Sequence, residues 1–111
     1  MDSLTAALAI KALDGLTARS VATAENIANA QTRGYRPVKV DFEQALAAAA
    51  TEGSEAVRAL EPRVTRESAV RDVRLDLELA AASSTSGRYA AVVELLSRQM
   101  QIDALAVSGG R

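Results

Sequence analysis

Residues 26–42 read NIANAQTRGYRPVKVDF, and no other stretch of the chain is as particular. A long run with apolar residues at helical spacing precedes it. Gly34 can adopt the left-handed conformation that ends helices, and Pro37 prevents the helix from resuming. Asn26 and Asn29 lie at this helix exit, where amide side chains can cap the free carbonyl groups of the last turn. The stretch therefore predicts a long first helix followed by a turn.

The segment that leads into this turn, residues 3–31, is predicted to form one helix. Ser3 is a suitable N-cap, and small or apolar residues recur along the helix at steps of three and four. Gly15 is a weak point, because glycine in a helix interior costs about 1 kcal/mol relative to alanine. The large residues expected to pack on its seam are Leu13, Leu16 and Ile27.

A second periodic segment, residues 75–107, predicts a coiled-coil-like C-terminal helix. The SSTSG stretch at residues 83–87 is a poor helix former and is expected to kink it. Both terminal helices also carry apolar residues off the main seam, so a single helix pair cannot bury them all, and we expect neighbouring chains to cover the rest. The seam residues expected to pack are Leu75, Leu79, Tyr89, Val93, Leu96 and Met100.

The middle of the chain, residues 32–74, carries weaker patterns. Residues 36–40 alternate and are predicted to be extended, and Asp41 with Gln44 resembles a capping box that opens a short alanine-rich helix. Residues 61–73 mix charged and apolar residues and predict a polar linker, with a short strand pair left open. The predicted fold is a single, mainly α domain, in which long N- and C-terminal helices pack as a coiled-coil-like pair around a short, partly irregular middle.

Composition restricts the class of function. The chain has no histidine and no cysteine, so the most common general base, thiol nucleophile and soft metal ligands are missing. We therefore expect no enzyme activity, no catalytic or metal site, no cofactor and no small-molecule substrate. A net charge of −1 without a basic stripe argues against a nucleic-acid partner. No apolar run reaches the length of about 18 residues that a transmembrane helix needs.

The core is expected to be small. The chain holds only two tyrosines and one phenylalanine. Alanine, its most frequent residue, favours helix but buries little apolar area per side chain. Such a chain forms helices more readily than a large core, so we expect partners to supply part of its stability.

The string ENIANAQTRGYRPVKVDFEQAL resembles the N-terminal signature of the bacterial flagellar axial proteins, the family of rod, hook and hook-associated proteins. The family pattern is roughly S-x-N-I-A-N-A-x-T-P-G-Y-[KR], followed by D-F or a similar pair. Arg33 is a departure, because the family usually has proline there. The positions that match, and that the resemblance makes an assembly signature, are Asn26, Ile27, Ala28, Asn29, Ala30, Thr32, Gly34, Tyr35, Arg36, Asp41 and Phe42.

Within this family the chain is most similar to the basal-body rod proteins of the proximal, FlgB type. It is too short for the hook and distal-rod types, which insert whole domains between the two helices. In the proximal type an acidic L-D-x-E segment precedes a helix with a tyrosine and paired leucines. The corresponding residues here are Leu75, Asp76, Glu78, Leu79, Tyr89, Leu95 and Leu96.

The resemblance implies a structural subunit of the periplasmic rod of the flagellar basal body, which transmits torque from motor to hook. It implies export through the flagellar type III apparatus without a cleaved signal peptide, and self-assembly through the terminal helices. The implied partners are other rod subunits and the FliE-type adaptor between rod and MS ring, in a homo- or hetero-oligomer.

A helical adaptor or regulatory module that binds partner helices is the alternative. The seams alone permit it, and without residues 26–36 it would be favoured. Arginines between residues 58 and 74 could indicate an acidic partner, but acidic residues alternate with them, which is typical of a solvated mixed-charge surface. Polymerisation distinguishes the two functions, because a rod subunit joins a ring or helix whereas an adaptor forms a discrete complex.

Overall fold

The computed structural model describes residues 1–109. The two long helices, α1 (Ser3–Ala28) and α4 (Leu75–Gly109), run antiparallel and share the most extensive interface between elements of the described residues. The predicted fold is confirmed: it is mainly α, with paired long helices at the two ends and a short, partly irregular middle. In chain order the elements are α1 (Ser3–Ala28), β1 (Val38–Asp41), α2 (Glu43–Glu52), α3 (Ser54–Ala59), β2 (Arg63–Arg66) and α4 (Leu75–Gly109).

The molecule is elongated. Its Cα radius of gyration is 17.5 Å, against about 13 Å for a compact domain of the same length, and its principal extents are 64 × 27 × 14 Å. Its accessible surface is 7428 Å², whereas roughly 5,800 Å² is typical of a compact monomer of this mass. The paired helices therefore leave considerably more surface in water than a compact domain does.

Both ends of α1 differ from their prediction. The N-cap is Asp2 rather than Ser3, because the Asp2 carboxylate accepts a hydrogen bond of 2.7 Å from the backbone N–H three residues on, which lowers the pKa of Asp2. The helix ends at Ala28 instead of residue 31. Asn29 is its C-cap: its backbone N–H and its side-chain amide donate to the Glu25 carbonyl at 3.0 and 2.9 Å. This double contact caps the helix three residues before the end that the periodicity predicts.

The two strands form an antiparallel pair, with Val38 opposite Arg66 and Val40 opposite Val64. Of the short strand pair considered for residues 61–73, one strand forms as β2, and it pairs with β1. Val38 and Val40 are buried, whereas the alternate residues of β1 are exposed, as are all residues of β2. This alternation turns one face of the sheet toward α1 and sets the register.

The predicted capping box of Asp41 and Gln44 is wrong. Asp41 ends β1, where its carboxylate lies 3.8 Å from the Lys39 Nζ atom, and α2 begins only at Glu43. Phe42 occupies the N-cap position without a side-chain hydrogen bond to the helix, and its ring is buried. The start of α2 is therefore set by the packing of Phe42 and by strand pairing, not by a capping side chain.

Gly15, which the sequence marks as a weak point, allows this packing. The Phe42 ring lies directly over it, so that a Cβ atom at position 15 would lie 2.5 Å from Cδ1 of the ring. Leu16, Val38 and Val40 complete the small core around the ring. The absence of a side chain at position 15 thus lets the segment after the turn approach α1 closely.

The helix α4 runs without interruption through residues 83–87, so the kink expected there is absent, and it continues two residues past the predicted end at 107. Thr85, in the middle of the weak stretch, is buried. Tertiary packing therefore overrides the low helix propensity of this stretch. Within residues 1–109, no helix combines the length and hydrophobicity needed to span a bilayer.

Gly15→Ala is expected to destabilise the protein by about 1–3 kcal/mol, because the new methyl group collides with the Phe42 ring. Gly87→Ala is the matched control, since its Cβ meets nothing within 4 Å, and it should stabilise the protein by up to about 1 kcal/mol through helix propensity. Urea unfolding of both variants measures the difference. Equal stabilisation by the two substitutions would contradict the close contact.

Candidate functional site

Asn26 is the centre of the predicted signature, and only 3% of it is exposed. Its Nδ2 atom donates to the Val38 carbonyl at 2.9 Å and to the Glu78 carboxylate at 3.3 Å. Its Oδ1 atom accepts from the Val38 N–H at 2.8 Å and from the Tyr35 hydroxyl at 2.6 Å. A primary amide has two donors and two acceptor sites, so all of its capacity is used. One side chain therefore joins α1, the turn, β1 and α4.

Side chains of α1 take the place of a third strand beside β1. One edge of β1 pairs with β2, and the other faces the helix. On that edge the Asn26 amide bonds both backbone groups of Val38, and the Arg19 Nη2 atom donates to the Val40 carbonyl at 2.8 Å. Arg19 and Asn26 are seven residues apart and so lie on the same face of α1. They satisfy backbone groups that would otherwise be buried without partners.

Arg19 also holds the start of α2. Its Nη1 and Nη2 atoms donate to the two carboxylate oxygens of Glu43 at 2.6 and 2.8 Å, a bidentate geometry that makes a strong ion pair. The guanidinium carbon lies 4.8 Å from the centroid of the Phe42 ring, within the range of a cation–π contact. The Arg19 hydrogen bonds lower the pKa of Glu43 to about 2.

The turn follows its residue types only in part: the Asn29 amide caps the last turn of α1 as expected, whereas the Asn26 amide bonds Val38 of β1 instead. Asn29 caps α1, and the Thr32 hydroxyl and backbone N–H donate to the Asn29 side-chain and backbone oxygens at 3.1 and 2.9 Å. Gly34 adopts a φ of +78°, which favours glycine, although it does so within the turn and not at the helix end. Arg33 is exposed, so the chain accommodates arginine at the position of the family's proline with its side chain at the surface.

Contacts of Tyr35 and Arg66 hold β2 against the end of α1. The Tyr35 hydroxyl donates to Asn26, and its ring centroid lies 5.6 Å from the guanidinium carbon of Arg66. Arg66 also donates to the Glu25 carboxylate and to the Arg36 carbonyl, both at 2.7 Å. Burial and the Glu25 charge raise the pKa of Tyr35, which favours the protonated hydroxyl that donates to Asn26.

The remaining signature residues play smaller parts in this network. Ile27 and Ala30 are half-buried, Ala28 is exposed, and Arg36 contributes its backbone carbonyl. Asp41 is exposed at the end of β1, and Phe42 is buried over Gly15. The structure therefore joins Tyr35 directly to Asn26, whereas Asn29 and Thr32 bond each other in the turn and Phe42 packs over Gly15.

Sequence reasoning marked Gly15 as a weak point but missed its contact with Phe42 and the ion pair of Arg19 with Glu43. A glycine inside a helical pattern often marks a close approach of another segment, so Gly15 carried a usable signal. Arg19 carried none, because its carboxylate partner lies 24 residues away and nothing local connects them.

A second surface lies on α4, where five of the six seam residues expected to pack face water. Leu16 is buried and Leu13, Ile27 and Leu96 are half-buried, but five seam residues are between 41% and 65% exposed. The expectation that these five pack within the chain is therefore wrong. We call them the outer stripe: Leu75, Leu79, Tyr89, Val93 and Met100.

The rotation of α4 explains the outer stripe. Of the six predicted seam residues, α4 turns only half-buried Leu96 toward α1, beside buried Thr85 and half-buried Val92 and Gln99. Polar contacts hold this rotation at both ends: Asn26 bonds Glu78 near one end, and the Met1 ammonium lies 3.1 Å from Asp103 near the other. The neighbouring ammonium group and Gln99 lower the pKa of Asp103. The apolar stripe next to this face is left outside.

No protein-family model and no curated protein matches the chain. Within residues 1–109, no group of three or more Asp or Glu residues is placed to hold a metal ion. The arrangement around Asn26 consists of saturated hydrogen bonds that fix the relative positions of α1, β1 and α4. We call this network the joint, and its role is structural. The outer stripe is a separate, exposed apolar surface on α4.

Asn26→Ala is expected to destabilise the protein by about 2–4 kcal/mol, because it leaves both backbone groups of Val38 without partners in a buried position. Asn29→Ala removes the side-chain cap of α1 and an exposed hydrogen bond to Thr32, leaves no buried group without a partner, and should cost about 1 kcal/mol. Urea unfolding monitored by circular dichroism measures both. If the two variants lost equal stability, Asn26 would be no more than a helix cap.

The Glu43 ion pair predicts a dependence of stability on pH. Because the pKa of Glu43 falls from 4.5 to about 2 on folding, its contribution is complete above about pH 4.5 and is lost as the pH falls through about 2. The stability difference between the natural protein and Glu43→Gln should therefore shrink between pH 5 and pH 2. Glu52→Gln, at the opposite end of α2, is the control. A difference that stayed constant over this interval would argue against the pair.

Proposed function

We propose that the protein is a structural subunit of the proximal rod of the bacterial flagellum and assembles through its terminal helices. The resemblance of residues 26–42 to the axial-protein signature supports the family. The observation that carries the proposal is the outer stripe, an apolar row along a helix that the chain itself leaves uncovered. Soluble monomers rarely expose large continuous apolar patches unless these bind something.

The outer stripe suits a neighbouring helix. Its residues recur mainly at heptad-like spacing along α4, which at 35 residues is roughly 50 Å long. A helix laid along it would complete the seam that the sequence indicates, with side chains of one helix inserted between those of the other. The surface of one copy beyond that of a compact monomer, roughly 1,600 Å², is about twice the roughly 800 Å² that one partner contributes to a standard protein–protein interface.

The joint around Asn26 suits a subunit under mechanical load. Contacts at both ends of the helix pair, Asn26 to Glu78 and Met1 to Asp103, oppose sliding of α4 along α1. A subunit that transmits torque requires helices that keep their register while their outer faces bind neighbours. Export without a cleaved signal, a place in the periplasmic rod, and contact with other rod subunits and the FliE-type adaptor follow from the family resemblance and belong to the same proposal.

Val93→Asp tests this function. The residue is exposed, so the charge should leave the helix content unchanged but abolish incorporation into the basal body and motility, because assembly would bury it without a partner. Ser84→Asp is the control: it lies nine residues away, on the opposite side of α4. Motility and fractionation of basal bodies measure the outcome.

A photoreactive residue at position 93, introduced in motile cells, identifies the neighbour directly. Adducts with rod subunits or with the adaptor at the MS ring support the proposed function. Adducts confined to discrete complexes outside the flagellum would contradict it and favour the helical adaptor. Normal motility of Val93→Asp would also contradict it.

A further inference from the structure

The outer edge of β2 is unpaired. β2 pairs with β1 on one side, and all four of its residues are exposed. The Glu67 N–H donates to the Pro37 carbonyl at 2.9 Å. Because hydrogen-bonded residues alternate along an antiparallel pair, the backbone groups of Val64 and Arg66 point away from β1. Among residues 1–109, no group outside the β1–β2 ladder bonds them. The N–H and C=O groups of these two residues therefore lie in water with the spacing that one more strand requires.

We propose that the β2 edges of two copies pair antiparallel about a two-fold axis centred on Thr65. In this register Val64 of each copy lies opposite Arg66 of the other, and their outward backbone groups exchange hydrogen bonds. The result is a continuous four-stranded sheet in the order β1, β2, β2, β1. The occupant of the edge is a second copy of the chain. The contact uses neither the outer stripe nor the joint, so it goes beyond the proposed function and does not depend on it.

Charge complementarity supports this register. Arg63 lies directly opposite Glu67 of the other copy, and the two-fold axis repeats the pair. Opposite charges in facing positions stabilise a strand pair, as does a pair of facing threonines, which Thr65 forms with itself across the axis. Arg63 makes no ion pair within residues 1–109. Glu67 already binds Arg71, but a carboxylate has about four acceptor sites and can bind a second guanidinium.

The neighbouring registers place like charges face to face. An axis centred on Arg66 sets that residue opposite itself. An axis centred on Val64 sets Glu67 opposite Glu61, and it also sets Arg66 opposite Pro62, which has no N–H to donate. Like charges directly opposite each other destabilise a strand pair. Charged side chains commonly protect an exposed sheet edge from pairing, and here they oppose the alternatives while favouring the axis at position 65.

A cysteine at position 65 tests the axis, because the chain has no cysteine of its own. Facing residues of a pair without hydrogen bonds lie about 4.5 Å apart at Cα, which is within reach of a disulfide. Purified Thr65→Cys should therefore form a disulfide-linked dimer on mild oxidation. Ser68→Cys is the matched control: it is exposed, but the register separates its two copies by six residues, roughly 20 Å. We expect at least tenfold more dimer from Thr65→Cys, and equal yields would overturn the pairing.

Val64→Pro tests the hydrogen bonds. It removes one outward N–H from each copy and leaves the β1–β2 ladder intact, as proline does on an edge strand. Sedimentation should show self-association at least tenfold weaker than that of Val64→Thr, which keeps the N–H, and circular dichroism checks that both are folded. Arg63→Glu should have a similar effect, because it faces Glu67. Equal association of the proline and threonine variants would overturn the pairing.

The two proposals fail separately. Adducts from position 93 report on the rod function alone, and the disulfide at position 65 reports on the β2 edge alone. If the disulfide forms while the adducts lie outside the flagellum, the edge contact stands and the rod function falls. If position 93 reaches rod proteins but the disulfide does not form, the function stands and the edge contact falls.

Discussion

The structure depends on the burial of one amide. Asn26 lies in the interior with all four of its hydrogen bonds made, and it supplies to Val38 the pair of backbone contacts that a third strand would supply. Because β1 is held there, Phe42 reaches the gap left by Gly15 and Arg19 reaches Glu43. An unpaired amide at this depth would be costly, so the positions of the turn, β1 and α4 are coupled.

The same coupling explains why an apolar stripe stays in water. α4 is oriented by polar contacts near its two ends, through Glu78 and Asp103, and the face it turns inward carries small and polar residues beside Val92 and Leu96. The larger side chains of the outer stripe are left outside. If these side chains formed the core, the monomer would be more stable, but no apolar row would remain to bind a neighbouring helix. The exposed row is therefore consistent with a subunit that is completed by assembly.

Several helix and strand boundaries were mispredicted because they depend on contacts between residues far apart in the chain, whereas capping and propensity rules consider only neighbouring residues. Asp2 and Ser3 are both good caps one residue apart, so the pattern alone did not separate them. Asp41 has the spacing of a capping box, but pairing with Arg63, 22 positions later, makes it a strand residue. The weak helix former Thr85 is buried, and packing keeps α4 continuous through it.

The sequence by itself determined the two long helices and the existence of a turn after the first, though not the residue at which that helix ends, because helix periodicity and turn chemistry act over a few neighbouring residues. It also supplied the resemblance from which the function is proposed. Only the tertiary structure decided which face α4 turns inward, that α1 serves as the missing strand, and that Gly15 receives Phe42. These depend on contacts between residues far apart in the chain, for which local patterns carry no information.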